Sequence, residues 1–205
     1  MKRVAIVTGA NQGLGFAVAE GLARRLEPGD VVYLTGRNPA AVREAADRIA
    51  APRAKVVSEI LDVRDGAAVD AFANEIQARR GGVDIVFSNA AARLTPNTPW
   101  AELVIPFVDT NNLGTTRILR TFGPMLRAGG RLLVVASSFG SLRQLPEHLR
   151  GRFNTGEMSL DEVDAAMLDW RDAVLEGRAS EGGMARVDQH PVEGAAGRRG
   201  ARTRA

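Results

Sequence analysis

The 205-residue chain has no cysteine, a single tyrosine, two lysines and two histidines, and only 5 % of it is aromatic. Without cysteine there can be no disulfide, thiolate metal site or cysteine nucleophile, and no other metal-ligand cluster stands out. The lack also fits a reducing compartment, so a cytoplasmic location is expected. Long apolar runs are missing as well. Lys2 and Arg3 lead into only four apolar residues before Thr8 and Gly9, too few for a signal-peptide core. No later run approaches the roughly 20 residues a spanning helix needs, so no membrane partner is expected. Nor does one sign of charge dominate: 27 basic and 24 acidic residues leave a net charge of +3, and through the first 180 positions the two signs are interspersed. That pattern gives no nucleic-acid-binding face. The exception is the stretch 194–205, GAAGRRGARTRA, four arginines without an acid; apart from it the body is slightly acidic.

What is present is a regular alternation. Hydrophobic residues make up 45 % of the chain, enough for one core of ordinary size. Residues 3–7 (RVAIV) read as a strand ending in a glycine turn, and residues 16–26 as a helix stopped by Pro28 and Gly29. Strands are then predicted at 31–35, 55–61, 83–88 and 131–136, and helices at 40–50, 66–79 and about 110–126. Strands alternating with helices of this length pair in parallel through right-handed crossovers. The reading is a Rossmann-type, doubly wound α/β domain over residues 1–140, with helices on both faces of the sheet. Its ligands should lie beyond the carboxyl ends of the strands, where the strand order reverses.

Residues 141–177 break this rhythm and read as a helical insertion. It carries one amphipathic helix, with Ser159 as N-cap, Glu162 three positions on, and Val163, Ala166, Met167, Trp170 and Val174 on one stripe. Residues 178–205 lack apolar periodicity and are predicted to be a disordered basic tail.

The segment Thr8-Gly9-Ala10-Asn11-Gln12-Gly13-Leu14-Gly15 joins the first strand to the first helix. Gly9 permits a tight turn, Gly13 lets backbone approach a pyrophosphate, and Gly15 allows close helix-to-strand packing, with the helix N-terminus facing the phosphates. After the second strand stands Gly36-Arg37. An acid there would bond a ribose 2′-hydroxyl, whereas the planar fork of an arginine suits a 2′-phosphate, so NADP(H) is favoured over NAD(H).

The spacing TGxxxGxG resembles the short-chain dehydrogenase/reductase family, and four further elements follow in the family's order. Leu61-Asp62-Val63 looks like its acidic position after the third strand, and Ser88-Asn89-Ala90-Ala91 resembles its NNAG turn, with serine and alanine in place of the first asparagine and the glycine. Asn111-Asn112-Leu113-Gly114 matches its NxxG element, and Ser137-Ser138 its serine pair. The insertion is similar to that of the carbonyl-reductase branch. The resemblance implies an oxidoreductase moving a hydride between a nicotinamide and a small carbonyl or alcohol. It implies cofactor contacts from Gly9, Asn11, Gln12, Gly13, Leu14, Gly15, Arg37, Asp62, Val63, Asn89 and Ala90, with Asp62 at the adenine and Asn11 beside Arg37 at the 2′-phosphate. It implies Ser138 and Asn111 as catalytic residues.

The family's proton donor is a tyrosine followed one helical turn later by lysine, YxxxK. Here the only tyrosine, Tyr33, lies in the second predicted strand, and the only lysines are Lys2 and Lys55. His148 and His190 read as surface residues of a polar loop and of the tail. Counting along the resemblance puts YxxxK near 185–193, where the chain reads ARVDQHPVE and the pattern is lost. A reading-frame shift or truncation would produce that loss, and the family's sixth and seventh strands would then be wanting, leaving the sheet incomplete on its C-terminal side and its fifth strand open to association with another copy. Two readings stay open at this point: an NADP(H)-dependent oxidoreductase by descent, and a non-catalytic nucleotide-binding protein or degenerate fragment.

Overall fold

The computed structural model describes residues 2–95, 97–137, 140–145, 147–153, 156 and 158–179. The expectations for Ser138, for His190 and for the tail from residue 180 onward lie outside the described residues, as does the side chain of His148.

The order is β1 (Val4–Val7), α1 (Gly13–Arg25), β2 (Val31–Gly36), α2 (Pro39–Asp47), β3 (Lys55–Ile60), α3 (Gly66–Arg80), β4 (Val83–Ser88), α4 (Trp100–Phe107), a π-helical stretch (Val108–Leu113), α5 (Gly114–Phe122) and β5 (Leu126–Val134). A short helix, α6 (Glu147–Arg150), carries His148 where a loop was expected, and α7 (Leu160–Leu175) follows. The strands form one parallel sheet in the order β3-β2-β1-β4-β5. The chain runs outward from β1 to β3, then returns to the other side of β1. That reversal lies between β1 and β4, and it opens a crevice at their carboxyl ends.

Alternation along the central strands explains why both faces are covered. Val4 and Ile6 of β1, with Val31 and Tyr33 of β2, join a core containing Phe72 and Ile76 of α3 and Ile118 and Phe122 of α5. Their neighbours Ala5, Val7, Val32 and Leu34 point the other way, onto Ala19 and Ala23 of α1 and Val42 and Ala45 of α2. A strand buried on both faces reads as an unbroken apolar run, which is what the sequence shows. Tyr33 is 3 % exposed and meets the Phe72 ring edge-on, with centroids 5.5 Å apart.

The helix expected over 110–126 is corrected in both position and form. Helical backbone begins at Trp100, after Pro99, and Pro106 interrupts its hydrogen bonding. The next six residues take the wider π spacing, the Gly114 N–H reaching back to the Asp109 carbonyl, before α-geometry resumes and ends at Phe122. β5 starts five residues earlier than expected, because its lead-in Arg-Ala-Gly-Gly reads as a turn. It pairs with β4 at Leu126 and again from Arg131, around an irregularity that includes Gly129 at φ +80°.

α7 has the expected capping box: Ser159 Oγ accepts the Glu162 N–H, and Glu162 accepts the Ser159 N–H at 2.7 Å. Ala166 is the buried point of its stripe. Trp170 stacks edge-on against Trp100 at 5.6 Å, and Asp164 accepts from Thr116 and Arg120, both at 2.7 Å, which ties the helix to α4 and α5.

At the opposite end of the sheet, Asp30 accepts the backbone N–H groups of Arg3 at 2.8 Å and of Glu27 at 2.9 Å. Burial alone would raise its pKa, but these bonds and the charges of Lys2 and Arg3 outweigh it and hold the carboxyl below its usual range. A lowered folded-state value means that the contribution is complete above the ordinary carboxylate pKa and is lost as pH falls through the folded value. Asp30→Ala is expected to cost about 1 to 3 kcal/mol near neutral pH, since it leaves two donors unpaired. Urea unfolding at pH 7 and pH 3 checks this: the gap between wild type and variant should narrow at pH 3.

Candidate functional site

The crevice is built from loops that leave the carboxyl ends of the strands. The Thr8 hydroxyl accepts the N–H groups of Asn89 at 2.8 Å and Ala90 at 2.9 Å and donates to the Phe87 carbonyl at 3.3 Å. In return the Asn89 side-chain amide donates to the carbonyls of Thr8 at 2.9 Å and Gly9 at 3.1 Å. The loops after β1 and β4 are thereby locked together across the switch point. Neither the hydroxyl's role nor the reciprocal bonds were read from the sequence; the only signal was a threonine at the start of the glycine segment.

This close approach dictates two of the three glycines. Gly9 has φ +60°, and a Cβ on it would stand 2.7 Å from the Ala90 Cα. A Cβ on Gly15 would meet Asn89 Nδ2 at 2.4 Å and the Gly9 carbonyl at 2.5 Å. Gly15 therefore makes room for the neighbouring loops, where the sequence suggested helix-to-strand packing. Gly13 differs: its φ is +57°, and the single heavy atom near its missing Cβ is Nη2 of Arg93, 3.8 Å away. The N-cap of α1 is Gln12, whose side chain makes no capping bond, so the first amides of the helix remain available beside Gly13.

All eleven residues expected to contact a cofactor, from Gly9 to Ala90, line one cleft of about 540 Å³. Gly36, Arg93 and Thr110 line it too and were missed. Arg37 is exposed on the rim after β2. The Asn11 amide oxygen lies 3.3 Å from where a Gly36 Cβ would sit, so that glycine lets Asn11 lean over the end of β2 beside Arg37. After β3, Asp62 binds the Arg64 guanidinium at 2.6 Å and accepts the Arg64 N–H at 3.0 Å. The Arg64 hydrogen bond, aided by the charge of Arg37 against the cost of burial, holds the Asp62 carboxyl below its usual range. Val63 is buried under Gly114, where a Cβ would come within 2.7 Å of the valine methyl, and its carbonyl accepts from Arg117.

Asn111 lies in the π-helical stretch, and both ends of its amide are engaged: Oδ1 accepts the Ala92 N–H at 2.7 Å and Nδ2 donates to the Ala92 carbonyl at 3.2 Å. It fixes the segment that follows β4 and is not itself part of the cleft lining. Thr110 is 9 % exposed, lines the cleft, and its hydroxyl has no partner. Buried polar atoms without partners are uncommon in folded chains. The side chains that would be needed for YxxxK are elsewhere. Tyr33 is packed inside β2, Lys2 bonds the Pro28 carbonyl, and Lys55 opens β3 at the amino end of the sheet, away from the cleft.

The short chain dehydrogenase family model matches residues 3–147, and the chain belongs to this family. It is similar to carbonyl reductase (NADPH) 1 of Bos taurus, with 31 % identity over 168 residues, covering 80 % of this chain and 60 % of that protein. The chain spans about three fifths of the length of the curated carbonyl reductases it matches. Among solved structures, menthone neomenthol reductase from Mentha piperita superposes with a TM-score of 0.74 at 23 % identity, covering 88 % of this chain and 77 % of that one, which shows the shared fold. An alcohol dehydrogenase from the archaeon Thermococcus sibiricus, complexed with 5-hydroxy-NADP, superposes with a TM-score of 0.58 at 27 % identity, covering 86 % and 72 %. Among the described residues no helix is long and apolar enough to cross a membrane.

Proposed function

We propose that the cleft holds NADP(H), within a dinucleotide-binding domain of residues 1–140 to which 141–177 adds a carbonyl-reductase-type helical insertion. The observation that carries this reading is the convergence of four loops on one cleft, with uncapped helix amides at Gly13 and an arginine at the end of β2. The residues present fit the group. The space over Gly13 is open where a pyrophosphate would lie, and the unpartnered Thr110 hydroxyl supplies a donor or acceptor in the lining.

In this arrangement Arg37, with Asn11 beside it, pairs with the 2′-phosphate through charge-assisted bonds. Asp62 and Val63 border the adenine, Asp62 sharing its carboxylate with Arg64. Gly13, Leu14 and Gly15 present the start of α1 to the pyrophosphate, and Asn89 and Ala90 wall the nicotinamide side. When bound, the cofactor supplies or accepts a hydride. By the family pattern Ser138 polarises a small carbonyl or alcohol, while Asn111 belongs to the catalytic set and holds the Ala92 backbone. A cytoplasmic location fits the lack of cysteine and of a membrane-length helix among the described residues.

One observation favours a second reading, a nucleotide-binding protein without turnover: the only tyrosine is packed inside β2, and both lysines stand at the amino end of the sheet, away from the cleft. Fluorescence titration with NADPH and NADH, on wild type and Arg37→Asp, tests the cofactor assignment. NADPH should bind wild type roughly tenfold to a hundredfold more tightly, as charge-assisted bonds contribute about 1.5 to 3 kcal/mol, and Arg37→Asp should reverse the order. Equal affinities in wild type would remove the role given to Arg37.

A further inference from the structure

We propose that Arg93 is a second anion-binding arm of this cleft, one that reaches across the glycine loop and grips the cofactor's pyrophosphate. The proposal rests on reading the cleft as an NADP(H) site. It goes beyond that reading because the glycine segment and its helix amides need no side chain from the loop after β4 to hold phosphate.

Three observations converge on Arg93. Its Nη2 is the nearest heavy atom to the open side of Gly13, 3.8 Å from the position a Cβ would occupy, so the guanidinium already stands beside the helix amides. Among the described residues it has no hydrogen-bond or ion-pair partner, whereas Arg64 is held by Asp62 and Arg127 by Asp84. Arginine's five donors in a planar fork match paired phosphate oxygens, and an uncommitted fork beside uncapped amides suits a bridging anion. Finally, the root of the arm is fixed. Asn111 clamps both backbone groups of Ala92, the residue immediately before Arg93, so the side chain swings from a held pivot. A fixed pivot lowers the cost of ordering the arm on binding.

The two cleft arginines then divide the work. Arg37, at the end of β2, reads the 2′-phosphate and sets which cofactor is preferred. Arg93 meets the pyrophosphate, which NADPH and NADH share, and sets how tightly either is held.

The division is tested by titrating wild type, Arg93→Ala and Arg93→Lys with four probes: NADPH, NADH, ADP-ribose and adenosine 2′-monophosphate, the last of which lacks a pyrophosphate. Arg93→Ala should weaken NADPH, NADH and ADP-ribose by a common factor of about tenfold or more, leave the NADPH-to-NADH ratio unchanged, and leave adenosine 2′-monophosphate unaffected. Arg93→Lys should recover part of the loss, since it keeps the charge and loses the fork. Arg93 is exposed, and an unchanged thermal midpoint establishes that the variants are folded. If Arg93→Ala binds all four probes like wild type, or loses adenosine 2′-monophosphate in step with the others, the assignment is overturned while the cleft reading stands. If wild type binds none of the four, the cleft reading itself fails, and this proposal with it.

Discussion

Gly15→Ala is expected to weaken NADPH binding by roughly thirtyfold to several hundredfold and to lower the thermal midpoint. The added Cβ would sit 2.5 Å from the Gly9 carbonyl and 2.4 Å from Asn89 Nδ2, and neither group can retreat cheaply. The Asn89 amide is tied to the carbonyls of Thr8 and Gly9, so moving it breaks two bonds that hold the loops after β1 and β4 together. Overpacking and the lost bonds cost about 2 to 4 kcal/mol together, and the damage falls on the same loops that line the cleft. Gly13→Ala makes an informative contrast. Its Cβ meets nothing closer than 3.8 Å, so only the strain of a positive φ, about 1 to 2 kcal/mol, burdens the free protein, while the methyl intrudes where the pyrophosphate would lie. Gly13→Ala should therefore lose affinity with a smaller change in thermal midpoint. Should Gly15→Ala match wild type in both midpoint and affinity, the packing account of this loop is wrong.

The second large effect concerns turnover. The polypeptide of these 205 residues is expected to oxidise NADPH against quinones, aldehydes and ketones at least about a hundredfold more slowly than ordinary enzymes. Hydride delivery to a carbonyl leaves an alkoxide that needs a proton at once, and losing a general acid typically costs about 10² to 10⁴ in rate. Tyr33 is sealed inside β2 against Phe72, and neither Ser138 nor Asn111 has a pKa suited to donating a proton near neutral pH. Without a lysine at the nicotinamide ribose, the reacting atoms would seldom reach a separation of about 3 to 3.5 Å. NADPH consumption by wild type and Ser138→Ala decides the matter. Ordinary rates in wild type that disappear in the serine variant would mean that another group supplies the proton.

The fold was legible where local and global signals agree. β1 and β2 are apolar runs closed by a glycine turn, because a strand buried on both faces has no polar side to show, while the outer β3 and the β4 run, which carry Glu59 and Asp84, were marked by their β-branched residues between turns. The helical stretch after residue 100 was harder to read. Pro99 and Pro106 look like breakers, yet one caps the start of the helix and the other lies inside it, and the π spacing that follows over Val108–Leu113 is one that a periodicity of 3.6 does not anticipate. Within the cleft, the glycine segment, Arg37, Asp62 and Asn89 could be picked out because each stands at a strand's carboxyl end in a recognisable order. Arg93 had no such mark, since an exposed arginine in a loop looks like any solvated charge until its distance from Gly13 is known. The clamp from Asn111 to Ala92 spans 19 residues and follows from the path of the π-helical stretch, so no local pattern could reveal it.

Calorimetric titration of the chain with NADPH and NADH at one fixed salt concentration, with Gly15→Ala alongside, tests the central claim most directly. The account predicts one saturable site per chain, NADPH held about tenfold or more tightly than NADH, and both signals strongly reduced by Gly15→Ala. Absence of saturable binding to either dinucleotide in the folded wild-type chain, or binding that Gly15→Ala leaves untouched, would contradict it.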